Sequence, residues 1–188
     1  MASGPLILAF SGGIGSGKST LSSGVAEALE WSRVSFGRYV RAVALDRGLD
    51  AESREVLQEV GESLITAGWV PFCRAVLTQA DWRPERSLVV DGIRHVEALQ
   101  TLRALVAPSV VALVHVVVSE AERSQRLRDK GFDDIEKLRL VEVHSTEIQV
   151  TTSLPAHAAV TVDGRHPEQD LIDKIVRWVR FGHGMLPT

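Results

Sequence analysis

Residues 6–30 read LILAFSGGIGSGKSTLSSGVAEALE. The apolar run from Leu6 to Phe10 gives way to a glycine cluster, and then to a stripe of Leu21, Val25 and Leu29 at helical spacing. A short continuous apolar run is how a strand covered on both faces reads, and a spacing of four marks one face of a helix. Between strand and helix, Gly12 to Ser19 (GGIGSGKS) fits the pattern G-x-x-x-x-G-K-[ST]. In that pattern Gly12, Gly13, Gly15, Ser16 and Gly17 turn backbone N–H groups onto phosphate oxygens. Lys18 reaches the β and γ phosphates, Ser19 offers a hydroxyl to Mg²⁺, and Thr20 completes the set of residues expected to bind ATP. The positive end of the helix dipole adds to the attraction. ATP with Mg²⁺ is the expected ligand.

Outward from this segment, four more β-rich runs stand out at Arg33–Phe36, Ser87–Asp91, Val110–Val118 and Ala158–Asp163. Helical patterns separate them, at about 18–30, 38–48, 51–67, 71–80, 94–106, 120–130, 134–149 and 168–180. Strands alternating with helices imply right-handed crossovers, hence an α/β fold with a parallel sheet between helical layers. Asp50 is the expected cap of the third helix, Ser119 with Glu122 makes a capping box, and Gly131 is the expected stop of the helix that follows. No repeat or low-complexity tract marks a boundary, so residues 1–188 read as one domain.

A chain of 188 residues with 45% hydrophobic content is large enough for a substantial core. The net charge of −3, from 21 basic and 24 acidic residues, provides no general field for a nucleic-acid polymer or an anionic membrane. Cys73 is the only cysteine, which excludes an internal disulfide and suits a reducing cytoplasm; as a free thiol it reads as a small core residue. The apolar run VVALVHVVV at 110–118 is too short to span a bilayer. These observations predict a cytoplasmic protein, monomeric or homodimeric, that acts on small molecules.

A second signal is SLVVDGIR at 87–94, where an apolar strand ends in Asp91. A carboxylate there can hold the Mg²⁺ shell or serve as a base toward a hydroxyl. With SFGRYVR at 35–41, RGLDAESREVLQEVGE at 47–62 and ERSQRLRDKGFDD at 122–134, the chain resembles the P-loop nucleoside monophosphate kinase group, in which adenylate kinase and dephospho-CoA kinase belong. The cradle is similar to that of dephospho-CoA kinase. SFGRYVR is similar to the adenylate kinase acceptor segment T-G-D-x-x-R, and LVVDGIR to its L-x-D-G-F-P-R.

The resemblance implies a three-layer fold with five parallel strands in the order 2-3-1-4-5. It also implies an acceptor-binding helical segment at about 37–80 and a short lid at about 127–137. Arg41 and Arg94 would bind the acceptor's phosphate, and Arg139, after the FDD of 132–134, would be a lid-end arginine. Arg123 and Arg126 are neighbours on one helix face; they either meet the donor phosphates as the lid closes or sit on a salted face among Glu120, Glu122 and Asp129. Departures from the family pattern are Arg38 at the aspartate of T-G-D, the missing proline of G-F-P-R, and Lys130 and Phe132 at the lid-arginine positions.

The acceptor determines whether a base is needed. A phosphate monoester, with a second pKa of about 6, is mostly a nucleophilic dianion at neutral pH, whereas a hydroxyl must lose a proton. The stretch VSFGRYVR at 34–41 holds two arginines and no acid, which favours a phosphate acceptor. The reading is transfer of the γ-phosphoryl group of MgATP to a small nucleotide, a nucleoside or deoxynucleoside monophosphate. Dephospho-CoA kinase, or another kinase with a hydroxyl acceptor, stays open, as does a regulatory nucleotide-binding ATPase. Arg54, Gln58 and Gly61 of the third helix either border the acceptor's head group, with Gln58 as the amide that reads a base edge, or lie on a solvated helix face, the preferred reading for Gln58. Trp69 and Phe72, on either side of Pro71, either stack on a ligand ring or pack in the core, and core packing is the preferred reading.

Overall fold

The computed structural model describes residues 4–129 and 145–181. Five strands, β1 (Leu6–Gly12), β2 (Ser32–Ser35), β3 (Leu88–Ile93), β4 (Val110–Val117) and β5 (Val160–Asp163), form one parallel sheet in the order β2-β3-β1-β4-β5. All seven residues of central β1 are buried, as its unbroken apolar run requires. Its period of two divides the core. Leu6, Leu8 and Phe10 pack with α1 (Lys18–Leu29) and the C-terminal helix α8 (Glu168–Phe181). Ile7 and Ala9 face α4 (Trp69–Thr78) and α5 (Val96–Val106) on the other side. The three-layer fold and strand order agree with the expectation.

Two further helices, α2 (Phe36–Asp46) and α3 (Arg54–Ala67), build an arm with its own small core around Ala44, Ala51 and Val60. The arm hangs over the carboxyl end of β3. Helix α6 (Glu120–Asp129) follows β4, and α7 (Ser145–Thr152) and a short 3₁₀ turn (Leu154–His157) precede β5. Among the described residues, no helix is long and apolar enough to cross a membrane.

Several boundaries differ from the sequence reading for identifiable reasons. Ser53, not Asp50, caps α3: its Oγ accepts from Val56 N at 3.4 Å, while Asp50 Oδ1 accepts from Glu52 N at 2.9 Å in the preceding turn. Helix α4 starts at Trp69, with Pro71 in a first turn that needs no amide donor. The 3₁₀ turn delays β5 to Val160. The Ser119–Glu122 cap forms, with Glu122 N donating to Ser119 Oγ at 3.3 Å and the hydroxyl donating to the Glu122 carboxylate at 2.8 Å. The Gly131 stop, and all but the last turns of the helix expected at 134–149, lie outside the described residues.

Strand β3 also runs two residues past Asp91. Its register against β1 slips there, pairing Phe10 with Asp91 and Ser11 with Ile93, so Gly92 is a bulge residue at φ 90°. A left-handed bulge suits glycine, and it bends the chain so that Arg94 and His95 come off the sheet before α5 begins.

Candidate active site

Helix α1 begins without a side-chain cap. Gly17, its N-cap, sits in the left-handed region at φ 88°, and no side chain bonds to the first-turn amides. Those N–H groups are available to an anion. Lys18 is 8% exposed, and its ammonium donates to Gly13 O at 3.4 Å. Ser16 Oγ is buried without a hydrogen-bond partner among the described residues. A Cβ on Gly12 would sit 2.7 Å from Val116 O, so β4 bounds the loop from below. The phosphate cradle therefore has the form that its motif predicts.

Asp91 is 3% exposed and held from one side only. Its Oδ2 accepts from Arg33 at 2.7 Å; the same guanidinium donates to Ser22 Oγ at 2.9 Å and to Ser19 O at 3.3 Å. Arg33 thus joins β2, β3 and the first turns of α1. Asp91 Oδ1 is buried with no hydrogen-bond partner among the described residues, and Asp91 lines a cavity together with Lys18 and Ser19. Sequence reading missed Arg33 because it looks like the charged start of a strand. Its role appears only when β2 pairs with β3, placing Arg33 opposite Val89 and Ser35 opposite Asp91. Arg33 is then diagonal to the acid.

The cavity, about 310 Å³, is at the small end for small-molecule sites. Helix α3 contributes Arg54, Gln58, Gly61 and Ile65, all on one face; Phe36, Trp69 and Phe72 form an aromatic wall, and Arg94 and His95 enter from the end of β3. Burial, and then the charge of nearby Arg54, pull the Arg94 guanidinium down to about 10, against the opposing pull of Asp91. Burial likewise lowers the His95 imidazole, with Glu97 raising it and Arg94 lowering it further. Arg41 does not line this cavity. It pairs with Glu52 on the arm's surface, because Phe36, Gly37 and Val40 present the inner face of α2 and position 41 turns away from it. Arg54 occupies the place expected for Arg41.

The aromatics do more than the expected core packing. Phe72 is buried and meets Phe36 edge-on at 5.1 Å. Trp69 stacks on Phe72 at 6.2 Å and touches the His95 ring at 4.9 Å, so it carries the core out to the cavity wall. Cys73 is fully buried, and burial pushes its thiol up to about 12.

Arg123 and Arg126 reach the cradle from its outer side. Arg126 donates to Ser16 O at 3.3 Å and Gly164 O at 2.6 Å, tying α6 and the end of β5 to the loop. Arg123 lies over Gly13, where an added Cβ would be 3.5 Å from its Nη1, and is 3.6 Å from the Glu120 carboxylate. A second groove of about 330 Å³, lined by Thr20, Leu21, Arg126, Gly164 and His166, borders the loop here. Of the expected lid, residues 127–129 complete α6, with Leu127 buried against Gly15. Residues 130–137 and Arg139 lie outside the described residues. Beneath the loop, Ser11 Oγ and His115 Nδ1 are hydrogen-bonded at 2.8 Å, and burial lowers the His115 imidazole.

A buried central strand, a glycine cradle and an uncapped helix within a sheet ordered β2-β3-β1-β4-β5 define a P-loop nucleotide-binding domain of the α/β three-layer type. Residues 8–148 match the AAA domain family, and the chain belongs to it. No curated protein matches the sequence significantly. Among solved structures, the chain is similar to the APS kinase of Mycobacterium tuberculosis in complex with AMPPNP and APS, with 14% identity and TM-score 0.63 over 95% of this chain and 99% of that one. It is also similar to a gluconokinase from Sinorhizobium meliloti (16%, TM-score 0.55, 96% and 98% covered) and to shikimate kinase from Aquifex aeolicus (18%, TM-score 0.53, 93% and 96% covered). At these identities the likeness is one of fold.

Two predictions follow from the buried charges. Arg33→Met should lower unfolding free energy by about 3–5 kcal/mol by stranding the Asp91 carboxylate, and adding Asp91→Asn should recover part of that loss; urea titration of both variants measures the coupling. For His95 and His115, the folded-state pKa lies below the unfolded value of about 6.5, so the unfolded chain binds more protons just below that pH. Their contribution to stability is full above about pH 6.5 and is lost as the pH falls below it. The urea midpoint should drop less steeply toward acid in His115→Gln than in the wild type.

Proposed function

We propose that the protein is an ATP-dependent small-molecule kinase whose acceptor is a small nucleotide, a ribo- or deoxynucleoside monophosphate. The observation that carries this reading is the meeting, in one cavity, of the cradle's Lys18 and Ser19, the Asp91 carboxylate and the guanidinium groups of Arg54 and Arg94. A nucleotide switch needs only the cradle. Two arginines near enough for one to lower the pKa of the other gain from an anion bound beside them, and a guanidinium fork suits phosphate. The structural neighbours, which carry the names of small-molecule kinases, support the same class.

In this reading the donor phosphates lie on the loop amides and Lys18, with the donor nucleoside toward the groove of Thr20, Arg126 and His166. The acceptor enters from the opposite cavity, so the two meet at Ser19 and Asp91. An acceptor phosphate oxygen forms a bond to the γ-phosphorus as the bond to the β,γ-bridging oxygen breaks. ADP leaves with that electron pair, and a nucleoside diphosphate is formed. Positioning and charge neutralisation provide the acceleration. The residues present fit a Mg²⁺ ion: Ser19, which carries a hydroxyl, and Asp91, whose Oδ1 has no hydrogen-bond partner among the described residues, line the same cavity. When bound, the ion neutralises phosphate charge as the bridging bond breaks.

Asp91 also supports a second reading. Its unpartnered Oδ1 could take the proton of a hydroxyl acceptor, as dephospho-CoA kinase would require.

The test is an ATP-consumption screen of the full chain with Mg²⁺ against the common nucleoside monophosphates and dephospho-CoA, with products identified by mass. A nucleoside diphosphate product is expected. Phosphorylated dephospho-CoA would favour the hydroxyl reading, and tight ATP binding with no transfer to any acceptor would overturn the kinase reading in favour of a regulatory ATPase. Lys18→Ala should lower kcat/KM by about a hundredfold or more. Arg94→Ala should raise the acceptor KM while leaving ATP affinity intact.

A further inference from the structure

Helix α3 carries a glycine at its middle, where helix energetics argue against one. Gly61 lies inside Arg54–Ala67, and an interior glycine weakens a helix relative to alanine. Its backbone does not call for glycine, since it is not among the residues with positive φ. Packing does not call for it either, because a Cβ built on Gly61 meets no neighbouring atom within 4 Å. The space such a Cβ would enter is the cavity itself, which Gly61 lines beside Gln58.

Two polar atoms of the same lining are buried and lack hydrogen-bond partners among the described residues, Gln58 Nε2 and His95 Nε2. Leaving such groups unmet is costly, which points to a ligand that satisfies them. The His95 ring is held against Trp69, whose indole in turn stacks on Phe72. Around Gly61 the cavity therefore combines bare helix backbone, an aromatic wall and two unmet polar atoms. Arg54, one turn before Gln58 on α3, and Arg94, next to His95, supply its positive end.

We propose that this part of the cavity is the head-group site of the acceptor. It takes a flat, uncharged nitrogen heterocycle of the nucleobase kind, hydrogen-bonded by Gln58 Nε2 and His95 Nε2, and position 61 is glycine to leave room for that ring. The inference rests on the proposed kinase reading and deepens it by naming the residues that select the ring. Burial keeps the His95 imidazole toward its neutral form, which matches an uncharged ring.

Equilibrium binding to the full chain tests this without requiring turnover. The probes are nucleoside monophosphates, ribose 5-phosphate as a ring-free control, and a non-hydrolysable ATP analogue, with thermal melts of every variant. Gly61→Ala should melt at or above the wild-type temperature, yet bind the nucleoside monophosphates about tenfold or more weakly, as insertion of a methyl group into a fitted site does. Its affinities for ribose 5-phosphate and the ATP analogue should not change. Gln58→Met should remain folded and lose the preference among bases. Unchanged nucleoside monophosphate affinity in Gly61→Ala would overturn the head-group site, as would equal weakening for ribose 5-phosphate. So would a wild-type chain that binds or phosphorylates ring-free acceptors as well as base-bearing ones, an outcome that leaves the kinase reading standing. A wild type that binds nucleoside monophosphates with the expected Gly61 dependence but transfers no phosphoryl group would instead end the kinase reading and keep the site.

Discussion

A helix that starts without a side-chain cap organises this molecule. Helices α2 and α3 satisfy their first turns with Ser35 and Ser53, as ordinary helices do. Helix α1 has no such cap and starts from a left-handed glycine, the kind of helix start that suits an anion. An open helix end needs support elsewhere. It comes from below through β1, buried between β3 and β4, and from outside through Arg126 on Ser16 O. Gly164 completes the support: a Cβ there would come within 2.9 Å of Ser16 O, so the end of β5 can press directly on the loop.

Around that loop the charge is local. The chain as a whole is slightly acidic, yet Lys18, Arg33, Arg54 and Arg94 gather about one buried acid, Asp91. Arg33 takes one oxygen of that acid, and the other is buried without a hydrogen-bond partner among the described residues. Arg54 and Arg94 share the far side, where each charge disfavours the other. Two like charges so close raise the cost of keeping both ionised, an electrostatic cost that a nearby negative charge offsets. The arm of α2 and α3 carries part of this apparatus on a separate small core, so its cavity-lining face can differ from the rest of the fold without disturbing the sheet.

Much of this was legible in the linear sequence because the signals are local. A buried strand, a glycine loop, a lysine and a hydroxyl within fourteen residues describe the cradle completely, and alternating strand and helix patterns imply the parallel sheet. Asp91 was legible because it follows an apolar strand. Where the signal was a choice between neighbours, local reading failed: Asp50 and Ser53 are both acceptable caps, and the backbone path selects the serine. Arg41 and Arg54 are both arginines of the arm, and only the rotation of α2 and α3 about their axes decides which one faces the cavity.

By itself, then, the sequence determined the phosphate cradle, the class of sheet and the presence of an acid beside the loop, because each rests on residues adjacent in the chain or on a short period. Only the tertiary structure decided that Arg33 holds Asp91 across two strands, that Arg54 rather than Arg41 lines the cavity beside Asp91, and that Gly61 lines it too. These depend on strand pairing and helix rotation, which bring together groups far apart in the chain, 58 residues in the Arg33–Asp91 bond. No local pattern encodes that distance.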